Sequence, residues 1–545
     1  MIFRKLYLFA IFLSLSLSLE AVDVSGTIYY ERVQPKHSGG SSLLNYSNIT
    51  KERAKEVFVE AINLNGNQVA STFTSENGEY KLEDLPSESS IKIRVYAKMF
   101  KQNHWDVKVI DNKNKDALYV IEGDFIDTGS VDTIRDLTAS AKDKGSPPFA
   151  ILDSIYQAMS KVYSVDSKVN FPKLNINWSV DNINSGTYYD GEDDIVLQGD
   201  QAGDSDEYDG HIVIHEWGHF FENKFSRADN IGGIHGTGNY LDIRVAFGEG
   251  FGNALSAIVT DDPVYFDTFG DNGWNMNIET ARHNTPGWFS EASIQRILYD
   301  LYDNHDDNKD KLSLGFKPIY DVLVGGQRVT SAFTSIFSFI YELKKENPND
   351  TSKIDEIIAS ENISTIEDIY GSNRISNIEG SVLPLYQELT IGKTLKDICT
   401  TTEYGLYNKL GDHKYIYFTI TKDKKYPILV KQSNGSRTDP NFTLFKTDPF
   451  EKISKEESTL EGLEKATINL VAGNYMLDIS ERSAIVDKAC FNVSVGDVND
   501  SIPTVVTNSS SSVAIALPKN IFLATILLLA ILFVPLFFIR KELKL

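Results

Sequence analysis

Cysteine is almost missing from this chain: 545 residues hold two, Cys399 and Cys490. No zinc finger can be built from that pair. In an exported chain an even pair predicts one disulfide, with two unpaired buried thiols as the alternative. Positive charge is also in deficit, since 53 Lys and Arg face 76 Asp and Glu for a formal net charge of -23. That excess repels phosphate backbones and anionic headgroups, which argues against a nucleic-acid partner and against peripheral attachment to a membrane surface. A repeat of solenoid period is lacking. So is the charge-rich, aromatic-poor composition of a disordered chain, because aromatic residues make up 11% and charged residues 24%. At this length one ordinary core does not suffice, and two to four domains are expected.

Long apolar runs stand only near the ends. Residues 6–19 follow Arg4 and Lys5 and give way to Glu20, Ala21 and Val22. This is the layout of a secretory signal over residues 1–21; a permanent N-terminal anchor is the alternative, but the run is shorter than a bilayer span. Residues 521–539 are uncharged and long enough to cross a membrane, which predicts a transmembrane helix over 519–540. Arg540, Lys541 and Lys544 follow, so a tail of residues 541–545 is expected in the cytoplasm and all that precedes the helix outside it. An apolar tail closing in basic residues also resembles bacterial sorting signals cut during surface attachment. Together the two ends predict a single-pass protein of the cell envelope.

Between them the patterning changes twice. Over residues 22–140, segments such as VSGTIYY, EVFVEAINL and IKIRVYA read as strands separated by Gly, Asn, Asp and Ser clusters, which predicts a β-sandwich. The stretch EVFVEAINLNGNQVASTFTSENGEYKLEDLP resembles the carboxypeptidase-regulatory, transthyretin-like modules that precede exported hydrolases. Over residues 141–387 helical periodicity takes over: Ile151, Ile155, Ala158 and Val162 share one face, as do Ile294, Ile297, Leu298 and Leu301. Strand signals return over 388–498, in KYIYFTIT, YPILVKQ and CFNVSV among others, and predict a second sandwich. Its rhythm and position resemble the pre-peptidase C-terminal modules of secreted bacterial proteases. Residues 499–518, with four successive serines from Ser509, read as a flexible linker.

The chemistry concentrates in HIVIHEWGHFFENKF, residues 211–225. His215 and His219 are four apart, so on a helix they stand one above the other and two imidazoles can grip one zinc ion. Glu216 falls on the adjacent edge, where its carboxylate can act as general base without ligating the metal. Thirty residues after His219, Glu249 sits in DIRVAFGEGFGNALSAIVTD, a second helical pattern with Asp242 as its N-cap. A carboxylate in a mostly apolar helix, beside Gly250 and close to Gly252, asks for a cation and for another backbone at close range. An exposed Glu on a glycine-weakened helix is the bland alternative.

This combination resembles the gluzincin peptidases of the thermolysin and fungalysin type. The resemblance implies a mainly helical α+β zincin catalytic domain between two all-β sandwich modules, with one catalytic Zn2+ on His215, His219 and Glu249. It also implies a peptide or protein substrate. The metzincin pattern fails, because it needs Gly and His where Glu222 and Phe225 stand. Where thermolysin-like enzymes carry an acid to orient a ligating His, this chain has Asn253, which can still accept a ring N–H. An oxyanion donor is also required, with His235, Tyr240, His283, Tyr299 and Tyr302 as candidates and His283 as the choice. His211, one turn before His215, reads as a surface or outer-sphere residue, since a fourth protein ligand would close the site. Acidic stretches at 191–210 and 303–310 could bind Ca2+ but lack the EF-hand pattern, and solvated loops explain them. Two rival functions are a non-catalytic envelope adhesion protein with a degenerate peptidase domain, and a zinc hydrolase of a non-peptide envelope substrate.

Overall fold

Strand Ala21–Ser38 turns Val22, Val24, Ile28, Tyr30 and Val33 into the core, the period-2 pattern its sequence carries. The structure, a computed structural model, describes residues 21–184, 186–270, 272–281, 283–304, 311–373, 382–434, 438–481 and 488–497. All described residues lie within one compact unit.

Two sheets build the N-terminal end. One pairs Ala21–Ser38 with Ser41–Arg53 and Glu79–Pro86. The other has ten strands and does not stop at residue 140. Trp105–Asp111 takes Leu174–Trp178 as a parallel neighbour, Leu174 opposite Val107 and Ile176 opposite Val109. Asp194–Leu197 and the edge strand Tyr188–Tyr189 follow. Helix α1, Pro147–Val165, opens on two prolines, whose fixed φ suits a first turn, and buries Ile151, Ile155, Ala158 and Val162. Trp105 meets Tyr156 and Tyr163 of α1 edge-on at 6.1 Å. Helix α2 spans Gly210–Phe225, α3 Ile243–Thr260 and α4 Glu291–Tyr302.

The C-terminal strands form sheets of five and four, closed over Ile398, Phe418, Ile428, Phe442, Leu477 and Phe491. Cys399 lies opposite Cys490 on adjacent strands, and the two form a disulfide. This sandwich is fastened to α3 by buried charge. Asp242 caps α3 by accepting the Arg244 N–H, and the Arg244 guanidinium spans Asp242 and Asp478 at 2.9 and 2.8 Å. The Tyr415 hydroxyl donates to Asp242 at 2.7 Å, and His413 holds Asp478 at 2.6 Å. Burial alone would raise both carboxyls; the charges and hydrogen bonds of Arg244, together with His413, more than offset it and hold them below the usual range.

The expected fold class is therefore corrected. The described residues are about 40% strand and 22% helix, not a mainly helical zincin domain set between separate sandwiches. Helical periodicity in the middle region marks real helices, but the strands among them extend a sheet begun by the N-terminal module. No described helix is long and apolar enough to cross a membrane. The transmembrane helix expected over 519–540 lies outside the described residues.

Candidate functional site

Helix α2 forms where its pattern predicts it, with Val213, Ile214, Trp217, Phe220 and Phe221 buried. That packing leaves His215, Glu216 and His219 on the wall of a cavity of about 840 Å³. Helix α3 crosses close by, and its glycines make the approach possible. A Cβ on Gly252 would come within 2.9 Å of the His215 ring, and one on Gly250 within 2.5 Å of Ile294 on α4. Glu249 thereby reaches both histidines. His215 Nε2 and His219 Nε2 stand 3.0 Å apart, and Glu249 Oε2 lies 3.2 Å from the first and 3.4 Å from the second.

These three residues fit a zinc ion by spacing and by donor chemistry. Bonds of about 2.0–2.1 Å in a tetrahedron set its ligand atoms roughly 3.3–3.4 Å apart. Asn253 occupies the orienting place, its Oδ1 2.8 Å from His215 Nδ1, while its amide donates to Gln295 Oε1 at 2.9 Å. That amide orientation makes His215 Nδ1 the donor and leaves Nε2 with a lone pair facing the group. Burial pushes the Glu249 carboxyl up, but the charge and hydrogen bonds of His219 and His215 overcome it and hold the acid well below its ordinary range. Burial likewise pushes His219 down, and Glu249 reverses this to about 9.

Glu216 is nearly buried, and one oxygen accepts the Tyr189 N–H at 2.9 Å. His235 reaches the same cavity from the glycine-rich loop 231–239. Its Nδ1 meets Glu291 Oε2 at 2.8 Å and its Nε2 lies 3.3 Å from Glu249 Oε2. Burial lowers the His235 pKa, and the Glu291 hydrogen bond and Glu249 charge more than restore it, so it lies above its ordinary value. Tyr265, Trp274 and Met276 line the opposite side, from the hairpin of Val264–Phe269 and Asn272–Asn277.

His283 stands elsewhere. Its Nε2 is 2.9 Å from Glu361 Oε2, a carboxylate also held by Arg296 and Ser293, and it does not line the cavity. The choice of His283 as oxyanion donor is corrected on that geometry: among the described residues it stands away from the cavity, which His235 lines. Tyr240 stacks between Phe289 and Tyr404, Tyr299 is buried, and the Tyr302 hydroxyl bonds Asp261. His211 is buried against Tyr265 and Phe266, with Nε2 on the Asp262 carbonyl at 3.1 Å, and is not part of the triad.

Sequence reasoning missed Glu222, which lines the cavity and whose carboxyl burial pushes up to about 8. It also missed Asn230, whose amide donates to Glu249 Oε1 at 2.8 Å, and Glu291. Only the unusual glycine content of 231–239 signalled that this loop had a particular path. In the acidic stretch at 191–210, Asp204 and Asp206 converge with Asp267, their oxygens within 4.8 Å. Most of the second acidic stretch, 305–310, lies outside the described residues.

Comparison with known proteins bears on this region. The family described as the Mycolysin C-terminal domain matches residues 157–356, which hold α2, α3 and α4. No curated protein matches the chain. Among solved structures, the pre-peptidase C-terminal domain of a Bacillus anthracis collagenase is 14% identical at TM-score 0.17, covering 20% of this chain and 93% of that one. The Aeromonas hydrophila PliG, a periplasmic inhibitor of g-type lysozyme, is 15% identical at TM-score 0.14, covering 20% and 94%. Scores so low carry no argument about fold. Through residues 157–356 the chain is similar to the Mycolysin C-terminal domain family, and it is in that sense peptidase-related.

Proposed function

We propose that this chain is an exported zinc-dependent peptidase with a gluzincin-type ligand set. The observation that carries the reading is the convergence of two imidazoles and one buried carboxylate on a point beside Glu216, at the wall of an open cavity. His215, His219 and Glu249 would hold the ion. Bound there, Zn2+ supplies Lewis acidity that polarises a carbonyl and makes a water acidic near neutral pH.

The remaining work belongs to side chains. Glu216 has one oxygen held by the Tyr189 N–H and the other free to take a proton from water and return it to the leaving amine. His235, fixed at Nδ1 by Glu291, offers an Nε2–H to the oxyanion that forms on the substrate carbonyl. Tyr188–Tyr189 is an edge strand at the cavity, and an extended substrate would lie beside it, which favours a peptide over a non-peptide substrate. The Cys399–Cys490 disulfide supports a place outside the cytoplasm.

Zinc quantification on the purified protein, with casein, a peptide library and cell-wall material digested in parallel, tests this reading. One zinc per chain with peptide cleavage is expected. A metal-free, inert protein would favour the adhesion alternative, and cleavage of wall material alone would favour a non-peptide hydrolase.

A further inference from the structure

Resting on the proposed role of His235, we propose that Asn408, in the C-terminal sandwich, is a positioning residue that holds the His235 loop against Glu249. Residues 231–239, IGGIHGTGN, include four glycines, and Gly232 and Gly233 take φ of +66° and +102°. Such a segment loses much conformational entropy when fixed, so its path needs support from outside. Its own backbone supplies the Asn239 N–H to Gly236 C=O bond at 2.9 Å.

The support comes from about 170 residues further along the chain. The Tyr407 hydroxyl donates to the Ile231 carbonyl at 2.8 Å. Asn408 Nδ2 donates to the Gly232 carbonyl at 2.8 Å and to the Ile234 carbonyl at 3.2 Å, and Lys409 Nζ reaches the latter at 2.5 Å. Ile234 immediately precedes His235, so one buried amide ties two carbonyls across the turn that delivers the imidazole. The fit is close: a Cβ on Gly233 would lie 2.8 Å from Asn408 Nδ2 and 2.9 Å from the Tyr407 ring. Backbone bonds continue the seam, Leu410 N–H to Tyr240 C=O at 3.0 Å and Asp242 N–H to Asn408 C=O at 2.9 Å. Tyr407 itself has φ +70° and is 63% exposed. A large side chain in the left-handed region persists only where its surroundings dictate it, and here the hydroxyl and ring both engage the loop.

The consequence is that the C-terminal sandwich completes the site rather than accompanying it. Asn408→Asp keeps the side-chain shape and removes both donors; Tyr407→Phe is a milder second variant at an exposed position. Both are made in the whole protein, alone and with His235→Ala. Hydrogen exchange over 231–239, zinc content, kcat and KM are read. Exchange in that loop is expected to rise on the order of tenfold with zinc content and KM unchanged, while kcat falls on the order of tenfold and falls no further when the change is added to His235→Ala. Unchanged exchange in the loop, or kcat losses that multiply in the double variants, would overturn the proposal. Absence of peptidase activity in the parent would sink the proposed function instead, and exchange alone would then decide the positioning role.

Discussion

Glu216 and Glu249 are both carboxylates on the same cavity, and their surroundings differ. Glu249 has all its reach spent on His215, His219, His235 and Asn230, whereas Glu216 is tied by one backbone N–H. Glu216→Gln should keep zinc near stoichiometric and lower turnover by about 10²-fold or more. Glu249→Ala should lose metal first, with activity partly restored in excess zinc. A fully metallated, active Glu249→Ala protein would break the ligand assignment. A different carboxyl predicts a pH effect on stability. Glu207 is buried, with Trp178 as a donor at 3.3 Å, and burial pushes its pKa up to about 7. The folded state therefore binds its proton more tightly than the unfolded state, and stability falls as pH rises from about 4.5 to about 7, with a slope near 1.4 kcal/mol per unit at most. Glu207→Gln should remove that part of the decline in urea titrations across this range; an unchanged slope would show that Glu207 is already ionised when folded.

Among the elements, α3 explains why a helix that buries a charge also carries three glycines. Gly252 is the position where the His215 ring lies, so Gly252→Ala should displace the imidazole and lower zinc affinity by about tenfold or more, as loss of outer-sphere support does. Gly325→Ala, whose Cβ would meet nothing within 4 Å, is the control and should bind zinc normally. Equal zinc affinity in both variants would mean that the α2–α3 approach does not set the ligand geometry. The helices were legible because their apolar faces recur at 3.6 residues, and α3 also because its cap, Asp242, is local. Which histidine lines the cavity was not legible, because His235 and His283 both lie in loops and nothing local says which cavity a loop side chain enters. Glu361 claims His283 from 78 residues away and Glu291 claims His235 from 56.

On the scale of the whole molecule, the C-terminal sandwich and helix α3 share a buried ion network centred on Arg244. Arg244→Met would leave Asp242 and Asp478 buried without their cation, and breaking such a pair typically costs about 3–5 kcal/mol. Chemical unfolding should show that loss in one transition for the whole described unit, whereas a separate early transition of the sandwich alone would indicate that the modules are energetically independent. The HExxH helix, the Glu249 helix and the strand rhythm at both ends were set by sequence alone, since each depends on periodicity, spacing or composition within a short window. Three features were decided only in the tertiary structure: the sheet shared across residue 140, the turn of His235 rather than His283 into the cavity, and the reach of Asn408 to that loop. Each is a contact between segments far apart in the chain, made by hydrogen bonds and burial that no local pattern encodes.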